Sequence, residues 1–190
     1  MLQAIGKALR VLLVMTLLTG IAYPMAVTGL AQVIFPKQAD GSLLNKDGMP
    51  IGSSLIGQNF SDSRYFQSRP SAAGQDGYDA ANSSGSNKGP TNKAFLDTVT
   101  KRAALIRAEN GLSANISLPG DLITASASGL DPHLSPEAAR IQVARVARLR
   151  NLSAAKVQEL VDRYTENRQF GFLGEPRVNV LKLNLALDSL

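Results

Sequence analysis

Asp131, His133 and Glu137 stand within seven residues of one another, at the mouth of a stretch that opens Ser135-Pro136. Two carboxylates around an imidazole are the residue types of a general acid–base site. His133 is the single histidine of the chain, so no two-histidine zinc site is possible, and any Ser-His-Asp relay must use it without a G-x-S-x-G elbow before it. Asp131, Pro132 and Ser135 are turn and cap residues, which makes His133 more simply a surface-loop residue. A second stretch, Gly85-Ser86-Asn87-Lys88-Gly89-Pro90, sets glycines near a lysine but lacks the G-x-x-x-x-G-K-[ST] spacing that aligns amides and lysine on phosphates. The Asp-Lys-Thr-Gly-Thr sequence of phosphorylated ion pumps is absent, and the absence of cysteine removes thiolate metal sites, disulfides and cysteine nucleophiles. On its residues the chain reads as a non-catalytic, membrane-anchored partner, with an independent membrane-anchored enzyme built on Asp131, His133 and Glu137 as the rival.

The elements that must position these residues begin with a run, 11–36, that holds no charged side chain and follows Lys7 and Arg10 in a short basic N-terminus, 1–10. About 20 apolar residues span the hydrocarbon core as a helix, so the run suffices for one crossing. A cleaved secretory signal would have an apolar core of only about 7–15 residues followed by a clean cleavage site, and a retained transmembrane helix fits better. Pro24 is expected to kink it near the middle, while Gly20, Gly29 and its threonines suit close packing against another helix. Lys7, Arg10 and the α-amino group before the run, against Lys37 and Lys46 after it, slightly favour a cytoplasmic N-terminus and an external C-terminal domain.

The remainder, 37–190, reads as one extramembrane α+β domain of helices packed on a small sheet. The pattern predicts a hairpin from Ser42–Asn45 and Met49–Ser53 around Lys46, Asp47 and Gly48, with Pro50 marking an edge strand, and a brief strand at Ser54, Leu55 and Ile56. A long Ser/Gly/Asn-rich loop, 58–90, carries aromatics at Phe60, Tyr65, Phe66 and Tyr78, which argue for order because they offer apolar anchors. A helix is expected over 91–111, capped by Thr91 and ended by Gly111, then a strand candidate between Ile116 and Ile123. Ser135 and Pro136 open a second helix with Ala138, Ile141, Val143, Ala144, Val146 and Ala147 as its apolar part and Arg140, Arg145, Arg148 and Arg150 as its basic part. Ser153 caps a third. The alternation of Leu181, Leu183, Leu185 and Leu187 with Lys182, Asn184 and Ala186 predicts a final half-buried strand. The net charge is +5, but Lys and Arg are scattered and aromatics few, so nucleic acid is not an expected partner.

Several stretches carry a family resemblance: Ser54-Leu55-Ile56-Gly57-Gln58-Asn59-Phe60, Tyr65-Phe66 with Arg69-Pro70-Ser71-Ala72, Ser84-Gly85-Ser86-Asn87, Thr124-Ala125-Ser126-Ala127-Ser128-Gly129-Leu130-Asp131, and Asn179-Val180-Leu181 with Leu183-Asn184-Leu185-Ala186-Leu187-Asp188. In this order they resemble the C subunit of the Kdp potassium-transporting ATPase, from the anchor to the last residues. One departure is Ser84, since members often have a double glycine before Ser-Asn, which questions a strict glycine requirement there.

The resemblance implies a bacterial inner-membrane complex with a channel-like subunit that binds potassium and a pump subunit that hydrolyses ATP. This chain would be the subunit needed for assembly, described in the family as a catalytic chaperone that raises the pump subunit's affinity for ATP. It also implies ATP contact through Ser83, Ser84, Gly85, Ser86 and Asn87, a loop likened to an ABC-type signature, and no resident metal. An external domain cannot touch cytoplasmic ATP. Two mechanisms therefore stand side by side: direct contact by a cytoplasmic domain, or a periplasmic domain capping the potassium entrance of the channel-like subunit, its effect on ATP transmitted through the pump.

Overall fold

A computed structural model describes all residues, 1–190, which divide into two compact units, Met1–Ser53 and Ser54–Leu190. The first is built on an apolar helix running from α1 (Leu2–Leu17) through a π-helical turn (Leu18–Ala22) into α2 (Tyr23–Ile34). It is long and apolar enough to cross a membrane, and none of its apolar window is buried within its own chain. Pro24 explains the π turn: proline has no N–H and its ring crowds the carbonyl four residues back, so the ladder widens and the Tyr23 N–H reaches Leu18 O instead. The break expected at Pro24 thus falls one turn before it, in a helix that begins nearer the N-terminus than the charge-free run.

After a single turn, α3 (Pro36–Ala39), the predicted hairpin forms from β1 (Leu43–Lys46) and β2 (Met49–Ser53). Asp47 and Gly48 make its two-residue turn at φ of 53° and 81°, the doubly left-handed geometry whose twist matches antiparallel strands.

The second unit is α+β. Helix α4 (Lys93–Asn110) is followed by the turn α5 (Gly120–Ile123), the strand β3 (His133–Leu134), helices α6 (Pro136–Arg150) and α7 (Ala154–Arg163), short strands β4 (Thr165–Glu166) and β5 (Arg177–Asn179), and helix α8 (Val180–Leu187). The strands form one antiparallel sheet in the order β3-β5-β4. Val143, Val146, Val157, Val161, Val178 and Leu183 form the centre of the core, where α6, α7 and α8 meet β5.

The helix starts follow the sequence: Ser135 and Ser153 accept from the amides of Ala138 and Lys156, and Gly111 closes α4 in the left-handed conformation. Asn92, not Thr91, caps α4, because its carboxamide oxygen reaches the Phe95 N–H at 3.1 Å. The last segment is a helix, not a strand. Asn179 caps it by accepting from the Lys182 N–H, and Val180, Leu183, Asn184 and Leu187 share its buried face at helical spacing. The strand candidate after Ile116 becomes loop and α5, since Pro119 starts a turn, and the brief strand at Ser54 is a turn beyond β2.

Arg145 departs furthest from expectation. It is 2% exposed, while Ala144, placed on the apolar part, faces solvent. Its Nε donates to Asn110 Oδ1 at 3.0 Å, Nη1 to the carbonyls of Ser63 and Tyr65, and Nη2 to Gln142 Oε1 at 2.7 Å. Burial lowers its pKa from the ordinary value, against the nearby Glu109 charge, and every group it hydrogen-bonds is a neutral acceptor.

Candidate functional site

The residues to be placed lie mostly on segment 58–90, which contains no helix or strand. Borrowed amides hold it instead. The side chain of Asn184 accepts from the Phe66 N–H and donates to the Phe66 carbonyl, both at 2.9 Å, and Gln142 does the same for Gln67 at 2.8 and 3.2 Å. Each carboxamide presents the donor and acceptor of a peptide group, so together they act as a neighbouring strand where the sheet has none. Phe66 between them is completely buried. Beside it Tyr65 lies 4.4 Å under the Arg150 guanidinium, which is itself paired with Asp188 at 2.9 Å.

Further on, Arg69 donates to the carbonyls of Thr124 and Ala125 and pairs with Asp131 at 3.1 Å. Ser71 Oγ donates to Gly129 O at 2.6 Å and accepts from the amides of Ala73 and Tyr78. The Tyr78 hydroxyl bonds to Arg69 O, and burial raises its pKa to about 12. The segment thereby lies along 124–131, and Gly57 N–H joins through Leu130 O at 2.8 Å. All the family-resembling stretches meet in this network, the C-terminal one also through Asn179 Nδ2 and Ser54 O at 2.7 Å.

At 83–87 the geometry is specific. Ser83 Oγ and the Ser84 N–H both donate to Ser128 O at 3.0 Å, and Ser84 Oγ bonds to Gly85 O. A Cβ on Gly85 would stand 2.8 Å from Ala127 O, so the glycine is required by contact with 124–131. Ser84 has no positive φ, which is why a serine is tolerated there. Ser86 and Asn87 remain exposed, and the next helix begins only at Lys93. A triphosphate is usually held by convergent N–H donors at a helix N-terminus; here the Ser83 hydroxyl and the Ser84 amide are committed to Ser128 O, and no helix start adjoins the segment.

Asp131 and His133 are adjacent, whereas Glu137 is bonded to neither and lines a separate recess with Arg140, Arg168 and Glu175. Asp131 Oδ1 accepts from the His133 N–H at 3.0 Å and faces its Nδ1 at 3.4 Å. This is an Asx turn leading into β3, with Arg69 on the other oxygen. No group of three His, Asp or Glu side chains is arranged to hold a metal ion. Sequence reading also missed Arg145, Gln142 and Asn110. The spacing of Ala138, Gln142 and Arg145, four and then three residues, was the available signal, since it puts all three on one helix face.

Desolvation pushes the Asp131 carboxyl up, but the bonds from His133 and Arg69 prevail and hold it below its ordinary 3.8. Between the two values the unfolded chain binds more protons, so stability rises with pH there. The Asp131 contribution is complete above the ordinary carboxylate range and is lost as pH falls through the lowered native value. Asp131→Asn is therefore expected to lower stability by about 1–2 kcal/mol at neutral pH and to flatten its acid dependence, read from urea unfolding at neutral and acid pH. An unchanged acid slope would show that another group dominates it.

The sequence profile of the family described as "KdpC: K+-transporting ATPase, c chain" matches residues 5–189. The chain is 60% identical over 191 residues to the protein named "Potassium-transporting ATPase KdpC subunit" of Methylococcus capsulatus, covering 100% of both chains. Proteins of the same name match from Polaromonas naphthalenivorans, 57% identical over 100% of this chain and 96% of that one, and from Geobacter sulfurreducens, 53% identical over 100% and 99%.

Proposed function

The chain belongs to the KdpC family of potassium-transporting ATPase subunits, and from that premise we propose that it is a non-catalytic subunit that assembles a high-affinity potassium uptake complex and raises the affinity of the ATP-hydrolysing subunit for ATP. Its partners are that pump subunit and the channel-like subunit that binds potassium. It sits in the bacterial inner membrane as a single-pass protein, N-terminus cytoplasmic and the second unit periplasmic.

The observation that carries this reading is the use to which the family stretches are put. They are joined to one another by hydrogen bonds and packing, and none presents a nucleophile and base in reach of a common point. The helix from Leu2 to Ile34 keeps its whole apolar surface for lipid or for other helices. With Ser83 and Ser84 tied to Ser128, the effect on ATP is best carried as coupling between sites through the pump subunit.

Deleting the chain in a cell whose other Kdp subunits are intact is expected to abolish growth at limiting potassium; unimpaired high-affinity uptake overturns the proposal. A reporter fused after Leu190 that is active only outside the cytoplasm is expected to give signal. Activity of a cytoplasmic reporter there would reverse the orientation and reopen direct ATP contact.

A further inference from the structure

Nine consecutive residues, 167–175, are exposed at the tip of the hairpin formed by β4 and β5. Their centre, Gln169-Phe170-Gly171-Phe172-Leu173-Gly174, contains no charge. Phe170 is 87% exposed, Phe172 70% and Leu173 48%. Two phenylalanines have roughly 150–250 Å² each to bury, so with the leucine the tip offers an apolar patch of about 400 Å², within the range of a monomer's largest patch, which is often functional.

The tip is built, not loose. Gln169 and Leu173 exchange backbone hydrogen bonds at 2.9 Å in both directions, and the Gly171 and Phe172 amides return to Arg168 O and Gln169 O. Gly171 and Gly174 hold φ of 82° and 76° with no neighbour to crowd a Cβ, so conformation rather than packing selects them. Phe170 is itself at a φ of 53°, a costly state for an aromatic residue whose side chain is left almost wholly exposed. Four amides, those of Gln169, Gly171, Phe172 and Leu173, are bonded within the loop, which lowers the polar cost of seating it in an apolar environment.

We propose that this tip is a knob that seats in an apolar, uncharged socket on another subunit of the potassium-transporting ATPase, outside the lipid; the inference rests on the reading that the chain assembles such a complex. Charge at the base of the loop argues for protein over membrane. Arg168 pairs with Glu175 at 2.6 Å, and Arg177 and Lys182 share Glu166, so every cation at the base is already engaged by a carboxylate and the net positive charge left for anionic headgroups is small, far from a polybasic cluster. Nor does the tip carry the tryptophan or tyrosine that marks a headgroup-level anchor.

The test is made on the whole complex, purified through a tag on another subunit. Phe170→Ser combined with Phe172→Ser is expected to lower retention of this chain at least tenfold while it still accumulates in membranes; unchanged retention overturns the proposal. If the variant does not accumulate, a photoreactive benzoylphenylalanine in place of Phe170, which preserves apolar bulk, decides. A covalent adduct with another subunit supports the socket, and adducts with phospholipid alone, or none, overturn it. Intact uptake after deletion of the chain would instead defeat the assembly reading, so the two failures are distinguishable.

Discussion

Arg145→Met is expected to cost about 2–4 kcal/mol, a large share of the roughly 5–15 kcal/mol that holds a domain together. The guanidinium gathers four acceptors from three parts of the unit: Asn110 at the end of α4, the carbonyls of Ser63 and Tyr65, and Gln142 one turn back on α6. Methionine matches much of its volume and donates nothing, so Asn110 Oδ1 and the Tyr65 carbonyl lose their donor inside the unit, while Gln142 Oε1 keeps the Gln67 N–H and Ser63 can turn to water. Replacing a whole buried polar cluster by apolar residues is often neutral, but here only one member is removed. Arg145→Lys keeps the charge without the planar fork, cannot reach all four acceptors, and is expected to lose about half as much. Urea unfolding of the full chain in detergent measures both. A loss below about 1 kcal/mol for Arg145→Met would mean that the anchoring of 63–67 rests on Gln142 and Asn184 alone.

Gly129→Ala is expected to be nearly as costly. Gly129 holds a φ of 67°, and a Cβ there would lie 2.5 Å from Ser84 O and 2.8 Å from the nitrogen and Cβ of Ala73. The left-handed backbone costs a non-glycine residue about 1–2 kcal/mol and forced overpacking another 1–3 kcal/mol. No flexible side-chain end is available to give way, so the chain at 84 must move off 124–131. The readout is local: hydrogen exchange at the Ser84 amide, which donates to Ser128 O, should lose protection. Ser84→Gly, which installs the double glycine, is expected to change stability by less than about 1 kcal/mol because Ser84 is exposed and unstrained. A stable Gly129→Ala with a protected Ser84 amide would show that the two segments are not locked together.

What could be read in the sequence was local. Ser135, Ser153 and Gly111 announced helix ends because capping is decided by a few neighbouring residues, and Asp47-Gly48 announced its turn for the same reason. Residues 180–187 defeated the reading because a run this apolar satisfies both periods: Leu181, Leu183, Leu185 and Leu187 alternate, yet Val180, Leu183 and Leu187 are also spaced as one helix face. The choice fell to Asn179, whose cap starts the helix, and to Asn184, which must face inward to meet Phe66. Arg145 was illegible for a related reason. Its polarity assigns it to the surface, and only carbonyls more than 75 residues earlier in the chain make an interior position tolerable. Of the resembling stretches, the sequence showed order along the chain but not their convergence, which depends on long-range bonds.

The pairing of Asn184 with Phe66 joins residues 118 apart, and Asn184 lies six positions before Leu190. Synthesis runs from the N-terminus, so the segment around Phe66 is delivered long before the amide that completes its strand-like setting. Until the last helix arrives, Phe66 and the backbone on either side have no lasting shelter, and contacts of such separation close slowly. A chain that stops short of Asn184 would leave that gap open, showing an apolar side chain and unmatched peptide groups to proteases. Helix α8 thus works as a late-arriving lid for an early segment: what it covers was made 118 residues before it.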